Sequence, residues 1–161
     1  MTPRAFKPTC DLYDEHLDAA RVPTIPLINL GGVSEFCGTA VTVKCFEDNS
    51  RIKELVATPG GGKVMIVDGG GSLRCALVGD VLAGEAQRSG WAGIIVYGAV
   101  RDKVALAELD LGVMALGVTP RKSVRRGEGQ VDIAIQLGGV WCHPGDIVYG
   151  DDDGVLLLDG D

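Results

Sequence analysis

The segment that decides the fold is KVMIVDGGGSLRCALVGDVLAGEAQRSGWAGIIVYGAVRD, residues 63–102. Its runs 63–68 and 93–98 are continuously apolar and bounded by glycine, which is typical of strands buried on both faces. Between them, apolar residues recur at helical spacing and predict a helix over about 76–88. They are Leu77, Val78, Val81, Leu82 and Ala86. A strand–helix–strand unit with parallel strands indicates an α/β fold.

The flanking sequence extends this unit into one α/β domain over residues 1–161, with part of its sheet antiparallel. Before the unit we expect a helix over 9–20 capped by Thr9, an irregular arm over 22–32, and a strand over 39–45. A further helix, capped by Asp48 or Asn49, is predicted to run to about Ala57. After the unit the pattern predicts a short helix over 101–110, a strand over 113–116, and short strands joined by PGD and DDDG turns over 131–158.

The composition is that of a globular protein with an acidic surface. Apolar residues make up 46% and charged residues 23%, and the 24 glycines cluster at turns between apolar runs. The net charge of −7 and the sequence pI of about 4.8 argue against a nucleic-acid binder, because such a surface repels phosphates. An anionic substrate would need a local cationic group or a bound metal ion.

The chain has neither an apolar run near the roughly 20 residues that span a bilayer nor the apolar region of a signal peptide at its start. A cytoplasmic protein without membrane contact is therefore expected. The five cysteines are widely spaced and form no CxxC pair, so buried or half-buried thiols are expected rather than disulfides.

Several catalytic and nucleotide-binding motifs are excluded. GGGK at 60–63 lacks the leading glycine and the following Ser or Thr of a phosphate loop, and DGGGSLR at 68–74 lacks the third glycine of a dinucleotide fingerprint. His16 is expected on an exposed helix face. Cys142 and His143 are adjacent in a strand and point to opposite faces, so they do not form a nucleophilic pair. Two isolated histidines also give poor support for a zinc site.

Three charged residues remain as candidates for chemistry. Asp80 falls in the first turn of the predicted helix, and Arg101 and Asp102 come just after the second strand. In a unit with parallel strands, the glycine-rich loop 69–72 and these three residues reach the same edge of the sheet, where α/β proteins usually bind ligands. Taken alone, Asp80 is more typical of a first-turn helix acid, the Arg101–Asp102 pair of a solvated loop, and the glycine-rich stretch of a simple turn. Convergence of all of them favours a functional site.

The chain resembles the family that contains the regulator of ribonuclease E activity A and the class II 4-hydroxy-4-methyl-2-oxoglutarate aldolases. The resemblance runs in order through nearly the whole sequence. It is carried by VTVKCFEDN (41–49), VMIVDGGGSLRCALVGD (64–80), GWAGIIVYGAVRD (90–102), LGVMALGVTPRKS (111–123), GEGQVDIAIQLGGVWCHPGD (127–146) and VYGDDDGVLLL (148–158).

The resemblance implies a fold, an assembly and a site. The fold is an α/β/β/α sandwich of the swivelling β/β/α type with a mixed sheet, and the assembly is a homotrimer, or a dimer of trimers, with active sites between subunits. An Asp, twenty residues, and then Arg-Asp is the aldolase signature, which Asp80, Arg101 and Asp102 match. Asp102 would bind Mg²⁺ or Mn²⁺, Arg101 would bind substrate, and Asp80 would orient a metal-bound water. The backbone of Gly79, Asp80, Val81 and Leu82 would bind a substrate carboxylate, as helix N-termini can.

The implied chemistry suits these residue types. Retro-aldol cleavage of a small 4-hydroxy-2-oxo acid leaves a pyruvate enolate, whose charge a divalent metal and an arginine can stabilise. Oxaloacetate decarboxylation passes through the same enolate. The sequence departs from the aldolase pattern at Ala105, where many members have an acid; the nearest acid is Glu108.

A second function is also compatible with the resemblance. VKCFEDN and DGGGSLRCALV are similar to the regulator branch, whose members bind ribonuclease E and lower its activity without catalysis. The intact Asp80–Arg101–Asp102 set favours retained chemistry over this alternative. A methyltransferase function has no support, because no glycine-rich methyl-donor motif is present.

Overall fold

The strand–helix–strand unit is present in the computed structural model, which describes residues 4–161, and it carries one additional strand. The elements in chain order are α1 (Thr9–Glu15), β1 (Ile28–Asn29), β2 (Phe36–Lys44), α2 (Ser50–Val56), β3 (Val64–Asp68), β4 (Ala76–Val78), α3 (Asp80–Arg88), β5 (Gly93–Val100), α4 (Lys103–Leu106), β6 (Gly112–Val118), β7 (Gln130–Val131), β8 (Ile135–Leu137), β9 (Val140–Cys142), β10 (Ile147–Asp151) and β11 (Gly154–Leu158).

The main sheet has a parallel centre and antiparallel edges. Its strand order is β1-β6-β5-β3-β2-β10-β11, with β4 paired to β5 and β7 paired to β2. The strands β2, β3, β5 and β6 are parallel, whereas β1, β10 and β11 are antiparallel to their neighbours. This mixed sheet is nearly closed, and β8 and β9 form a separate hairpin.

Three apolar clusters divide the molecule into layers. The first lies between the sheet and α2, α3 and α4, and contains Ile52, Leu82 and Leu106. The second lies on the opposite side of β3 and β5, where Ile66 and Ile95 meet residues of the β8–β9 hairpin and of β10 and β11. The third packs α1 against β10 and β11. This layering confirms the α/β/β/α architecture, and the central strands are apolar because helices cover one face and strands the other.

One prediction within the deciding segment is wrong. Residues 76–78 form β4 and not the start of a helix, and the helix begins only at Asp80. Ala76 and Val78 pair with Ala99 and Val100 of β5, and all three residues of β4 are buried. A short apolar run of this kind fits both helical and extended patterns, and pairing with β5 decides for the strand.

The expectations for the N-terminal third need two corrections. The first helix ends at Glu15, and Thr9 does not cap it, because Pro8 holds the N-cap position. The Thr9 backbone N–H and hydroxyl both donate to the Asp151 carboxylate, at 2.8 Å each. Of the two residues predicted to cap α2, Asn49 holds the N-cap position but makes no side-chain cap bond, whereas the Oδ1 of the preceding Asp48 accepts from the Ser50 backbone N–H at 2.8 Å.

The other predictions hold with shifted boundaries. The strand predicted over 39–45 runs from Phe36 to Lys44, and the helix predicted over 101–110 covers only Lys103–Leu106. All five cysteines are free, as expected, but Cys10 is exposed rather than buried. Within residues 4–161, no helix combines the length and apolar character needed to cross a bilayer.

Candidate functional site

Asp80, Arg101 and Asp102 lie together because β4 and β5 are parallel neighbours. The chain leaves β4 at Val78 and begins α3 at Asp80, while β5 ends at Val100 immediately before Arg101. The Arg101 backbone N–H donates to the Val78 carbonyl at 3.0 Å, which fixes the two strand ends side by side. The predicted convergence of these three residues is therefore present in the structure.

The Asp102 carboxylate is positioned by backbone on both sides. Asp102 has a left-handed conformation with φ of 64°, which Asp tolerates better than most residues, and it is the N-cap residue of α4. Its Oδ2 accepts the Asp80 backbone N–H at 3.0 Å and lies 3.9 Å from Arg101 Nε. The bond from the Asp80 N–H is the main cause of a lowered pKa for Asp102, with a contribution from Arg101, so the carboxylate is charged at neutral pH.

Gly79 allows this close approach. A Cβ atom at position 79 would lie 2.7 Å from Asp102 Oδ2 and 3.2 Å from Arg101 Cγ. The φ of Gly79 is −128°, which any residue can adopt, so the position requires glycine for space and not for backbone conformation.

The three residues line a cavity of about 460 Å³. The remaining lining residues are Asn49, Ala76, Gly79, Val81, Leu82, Lys122, Ser123, Val124 and Arg125. The glycine-rich loop 69–72, which was expected to converge here, does not line the cavity. Gly69 and Gly71 instead donate to the Tyr97 carbonyl, so this loop packs along β5.

The helix start provides fewer amides for a substrate carboxylate than expected. The Asp80 N–H is occupied by Asp102. The N–H groups of Val81 and Leu82 lie in the first turn of α3, where helix geometry provides no intrahelical acceptor. Of the predicted backbone set, these two amides are the ones that remain suitable for an anion.

A cationic segment in the cavity wall was missed from the sequence. Four of the six residues 121–126, RKSVRR, are Arg or Lys, and Lys122 and Arg125 line the cavity. The sequence feature that indicates this cationic segment is the basic run itself, in a chain of net charge −7. It was overlooked because an extended segment has no periodicity and a basic run usually belongs to a solvated surface.

The carboxylates fit a site for a divalent cation that keeps most of its water. Asp80 and Asp102 are both exposed at the cavity and are adjacent through the Asp80 N–H bond. No group of three or more His, Cys, Asp or Glu side chains within residues 4–161 is placed to hold a metal ion. Mg²⁺ commonly binds one or two carboxylates and completes its shell with water and substrate oxygens, so the Asp102 carboxylate, with Asp80 beside it to orient a bound water, fits such an ion.

The interpretation of Ala105, Glu108 and the two histidines is the same in the structure as in the sequence analysis. Ala105 lies within α4, and Glu108 follows the helix as an exposed residue that does not line the cavity. Glu108 therefore does not replace the acid that many aldolases have at the position of Ala105. His16 and His143 are exposed and lie outside the cavity, in agreement with their exclusion.

The fold and the site define a protein of the RraA-like class. The family model described as "RraA-like: Aldolase/RraA" matches residues 9–157, so the chain belongs to this family. A protein of Alcanivorax borkumensis, named provisionally as a 4-hydroxy-4-methyl-2-oxoglutarate aldolase, is 55% identical over 92% of this chain and 93% of its own length.

Two solved structures share the whole fold. One, from Geobacillus kaustophilus, carries the name S-adenosylmethionine:2-dimethylmenaquinone methyltransferase; it has a TM-score of 0.94 and 42% identity, covering 96% of both chains. The other is the RNA-processing inhibitor RraA of Thermus thermophilus, with a TM-score of 0.92 and 41% identity over 97% of this chain and 94% of its own. These similarities confirm the resemblance and the fold class predicted from the sequence.

Proposed function

We propose that this protein is a divalent-metal-dependent aldolase that cleaves 4-hydroxy-4-methyl-2-oxoglutarate to pyruvate and also decarboxylates oxaloacetate. The observation that carries the proposal is the contact between the Asp102 carboxylate, the Asp80 N–H and the Arg101 side chain at one open cavity. The sequence similarity to the Alcanivorax relative, which is named as an aldolase, also supports the proposal.

Asp102 would hold Mg²⁺ or Mn²⁺, which when bound acts as a Lewis acid toward a 2-oxo acid. The chain's own contribution is to bind and orient the substrate. Arg101 reaches the cavity with its side chain about two-fifths exposed, so its guanidinium can donate to the 2-oxo group and its carboxylate. The N–H groups of Val81 and Leu82 would bind the same carboxylate from the start of α3.

The reaction requires one bond to break and two proton movements. The C4 hydroxyl loses its proton, the C3–C4 bond breaks, and its electron pair forms the enolate of the first pyruvate while C4 becomes the carbonyl of the second. Protonation of C3 completes the first pyruvate. The Asp80 carboxylate would position the water that exchanges these protons, since Asp80 is exposed at the cavity. Arg101 would stabilise the enolate charge.

Exposed apolar residues beside the site support assembly of the chain as a homotrimer. Val81 is 73% exposed and Val104 is 83% exposed, and Val118 lies with Arg101 and Asp102 around another, smaller cavity. A neighbouring copy would bury these side chains. Several exposed apolar side chains close together are unusual on a surface that stays in contact with solvent. Such an assembly would also enclose a cavity that is open in the isolated chain.

The alternative function is a non-catalytic regulator that binds ribonuclease E. The observation that favours it is the similarity in fold and sequence to the RNA-processing inhibitor RraA of Thermus thermophilus. A binding assay with purified ribonuclease E separates the two functions. A regulator would bind with or without Mg²⁺, and Arg101→Gln would leave this binding intact, whereas it would strongly reduce catalysis.

The test of the proposed function is pyruvate release from 4-hydroxy-4-methyl-2-oxoglutarate and from oxaloacetate, measured with Mg²⁺ and with EDTA. We expect turnover only with the metal and a loss of about 100-fold in Arg101→Gln. The matched control is Arg88→Gln, at the end of α3 and outside the cavity, which should behave as the wild type. Absence of turnover on both substrates, with metal present and the protein folded, would contradict the proposal.

A further inference from the structure

The cavity is lined by two further cations that the proposed reaction does not use. Lys122 and Arg125 line it together with Asp80 and Asp102. Within residues 4–161, neither side chain has a carboxylate oxygen within 4.0 Å, whereas Arg51 and Arg74 nearby each form an ion pair. In a chain of net charge −7, two cations left free beside the candidate site are available to an anion.

The segment that carries these cations is fixed at both ends. At its start, the Ala76 N–H donates to the Arg121 carbonyl at 2.7 Å, and the Ser123 N–H donates to the Ala76 carbonyl at 3.2 Å. At its end, the buried Asp48 carboxylate accepts the Arg126 N–H at 2.6 Å. Lys122 and Arg125 therefore project from a backbone held against β4 and α2, which lowers the entropic cost of binding.

Arg125 is also oriented through its side chain. Its Nε donates to Asn49 Oδ1 at 3.0 Å, and Asn49 Nδ2 in turn donates to the Leu77 carbonyl at 2.9 Å. Asn49 is buried, so this chain of bonds ties the guanidinium to β4. The bond uses one edge of the guanidinium and leaves the terminal nitrogens free for a bidentate bond to a carboxylate.

A buried hydroxyl between the two cations lacks a partner. Ser123 is 8% exposed and lines the same cavity, and its Oγ has no hydrogen-bond partner within the described residues. Buried hydroxyls are almost always hydrogen-bonded, so an unpartnered one in a cavity wall indicates a missing ligand atom.

We propose that Lys122, Ser123 and Arg125 form a subsite for the second carboxylate of a dicarboxylic 2-oxo acid. This inference rests on the proposed function and specifies the substrate class of the same cavity. With the 2-oxo acid end at Arg101 and Asp102, the distal carboxylate extends toward the basic segment. In the aldol cleavage proposed above, that carboxylate is C5 and leaves with the second pyruvate, so the subsite selects the aldol substrate and takes no part in breaking the C3–C4 bond. In oxaloacetate decarboxylation the distal carboxylate is the group lost as CO₂, so the subsite is proposed for the aldol substrate only.

The test compares two ligands that differ only at the distal end: 2-oxoglutarate, with a C5 carboxylate, and 2-oxopentanoate, with a C5 methyl group. Isothermal titration calorimetry of the full-length protein with Mg²⁺ should give at least about tenfold tighter binding of 2-oxoglutarate. Arg125→Gln should remove this preference while leaving the affinity for 2-oxopentanoate unchanged. Arg126→Gln is the matched control, because Arg126 carries the same charge one residue away and lines a different cavity.

The outcomes separate the subsite from the proposed function. A preference for 2-oxoglutarate that is lost in Arg125→Gln supports the subsite even if the protein releases no pyruvate, a result that would contradict only the aldolase proposal. Equal binding of both ligands by the wild type would overturn the subsite even if pyruvate is released. An equal loss for both ligands in Arg125→Gln, or the same loss of preference in Arg126→Gln, would also overturn it, because the effect would then be structural or due to net charge.

Discussion

At the scale of single residues, the site depends on short distances between atoms of Asp80, Arg101 and Asp102. The sequence predicts that Asp80, Arg101 and Asp102 meet, because helix and strand ends follow from apolar patterns. It does not predict that Asp102 adopts a left-handed conformation or that its Oδ2 accepts the Asp80 N–H. Those features depend on the register between β4 and β5. The residues of β4 also fit helical spacing, so this strand is not predicted from the sequence.

The charge on Asp102 is the first target for mutation. Asp102→Asn preserves the size of the side chain and its tolerance of positive φ, so we expect little change in melting temperature. Removing the charge should reduce metal-dependent pyruvate release by about 100-fold, measured by steady-state kinetics. Asp110→Asn, an exposed carboxylate between α4 and β6, is the control and should retain activity. Wild-type turnover in Asp102→Asn would show that this carboxylate is not part of the site.

The space at Gly79 gives a second prediction. In Gly79→Ala the new Cβ would lie 2.7 Å from Asp102 Oδ2, so the carboxylate has to move. We expect pyruvate release to fall by about 10- to 100-fold, because small displacements of reacting groups are costly. Stability should change little, since the backbone angles at position 79 suit alanine. Gly84→Ala in the same helix, where the nearest atom is the end of the flexible Arg88 side chain, should keep its activity.

At the scale of elements, the long buried strands can be predicted from the sequence, whereas the position of residues 121–128, which include the cationic segment 121–126, cannot. Strands β3, β5 and β6 are continuous apolar runs, and the structure places them at the centre of the sheet. Segment 121–128 has no periodicity, and its position comes from hydrogen bonds to residues far away in the chain. Two cations that line the cavity lie on it, which explains why that part of the candidate site escaped the sequence analysis.

Asp48 holds this segment and gives a stability prediction. Its Oδ1 accepts from the Ser50 N–H and hydroxyl, and its Oδ2 accepts from the N–H groups of Arg126 and Glu128. Burial alone would raise the pKa of Asp48, but these bonds outweigh it and lower the pKa to about 2. Asp48→Asn should lower the free energy of unfolding at pH 7 by about 2 kcal/mol, because the remaining N–H groups would face an amide.

The same pKa predicts a pH dependence. A carboxyl whose pKa is lower in the folded state stabilises the protein above its unfolded pKa of about 3.8, and the contribution is lost as the pH falls toward about 2. In urea unfolding, the difference between wild type and Asp48→Asn should therefore shrink below pH 4. The exposed Asp18→Asn should match the wild type throughout. A difference that stays constant down to pH 2 would contradict the assignment.

At the scale of the whole molecule, charge and exposed apolar surface are distributed unevenly. The acidic net charge predicts repulsion of anions, yet Lys122, Arg125 and Arg101 concentrate positive charge at one cavity. A total charge therefore excludes classes of extended partner, such as nucleic acid, more reliably than it excludes a small anionic substrate.

The proposed trimer is tested by mass in solution. Light scattering should give three times the chain mass of 16.8 kDa for the wild type at micromolar concentration. Val104→Lys places a charge on an apolar side chain that is largely exposed in the single chain, so it should shift the mass toward the monomer without unfolding it. The substitution Val22→Lys, on an exposed valine that does not line the cavity, is the control. A monomeric wild type would contradict the proposed assembly.

The proposed function depends on Asp80, Arg101 and Asp102 forming a metal-dependent site that stabilises a pyruvate enolate. The most direct measurement is proton exchange at the methyl group of pyruvate in D₂O, followed by NMR, because this exchange reports enolate formation whatever the full substrate is. We predict exchange with wild type and Mg²⁺, none above the buffer rate with EDTA, and none in Asp102→Asn. Exchange that is absent from the folded wild type with Mg²⁺, or unchanged in Asp102→Asn, would contradict this function.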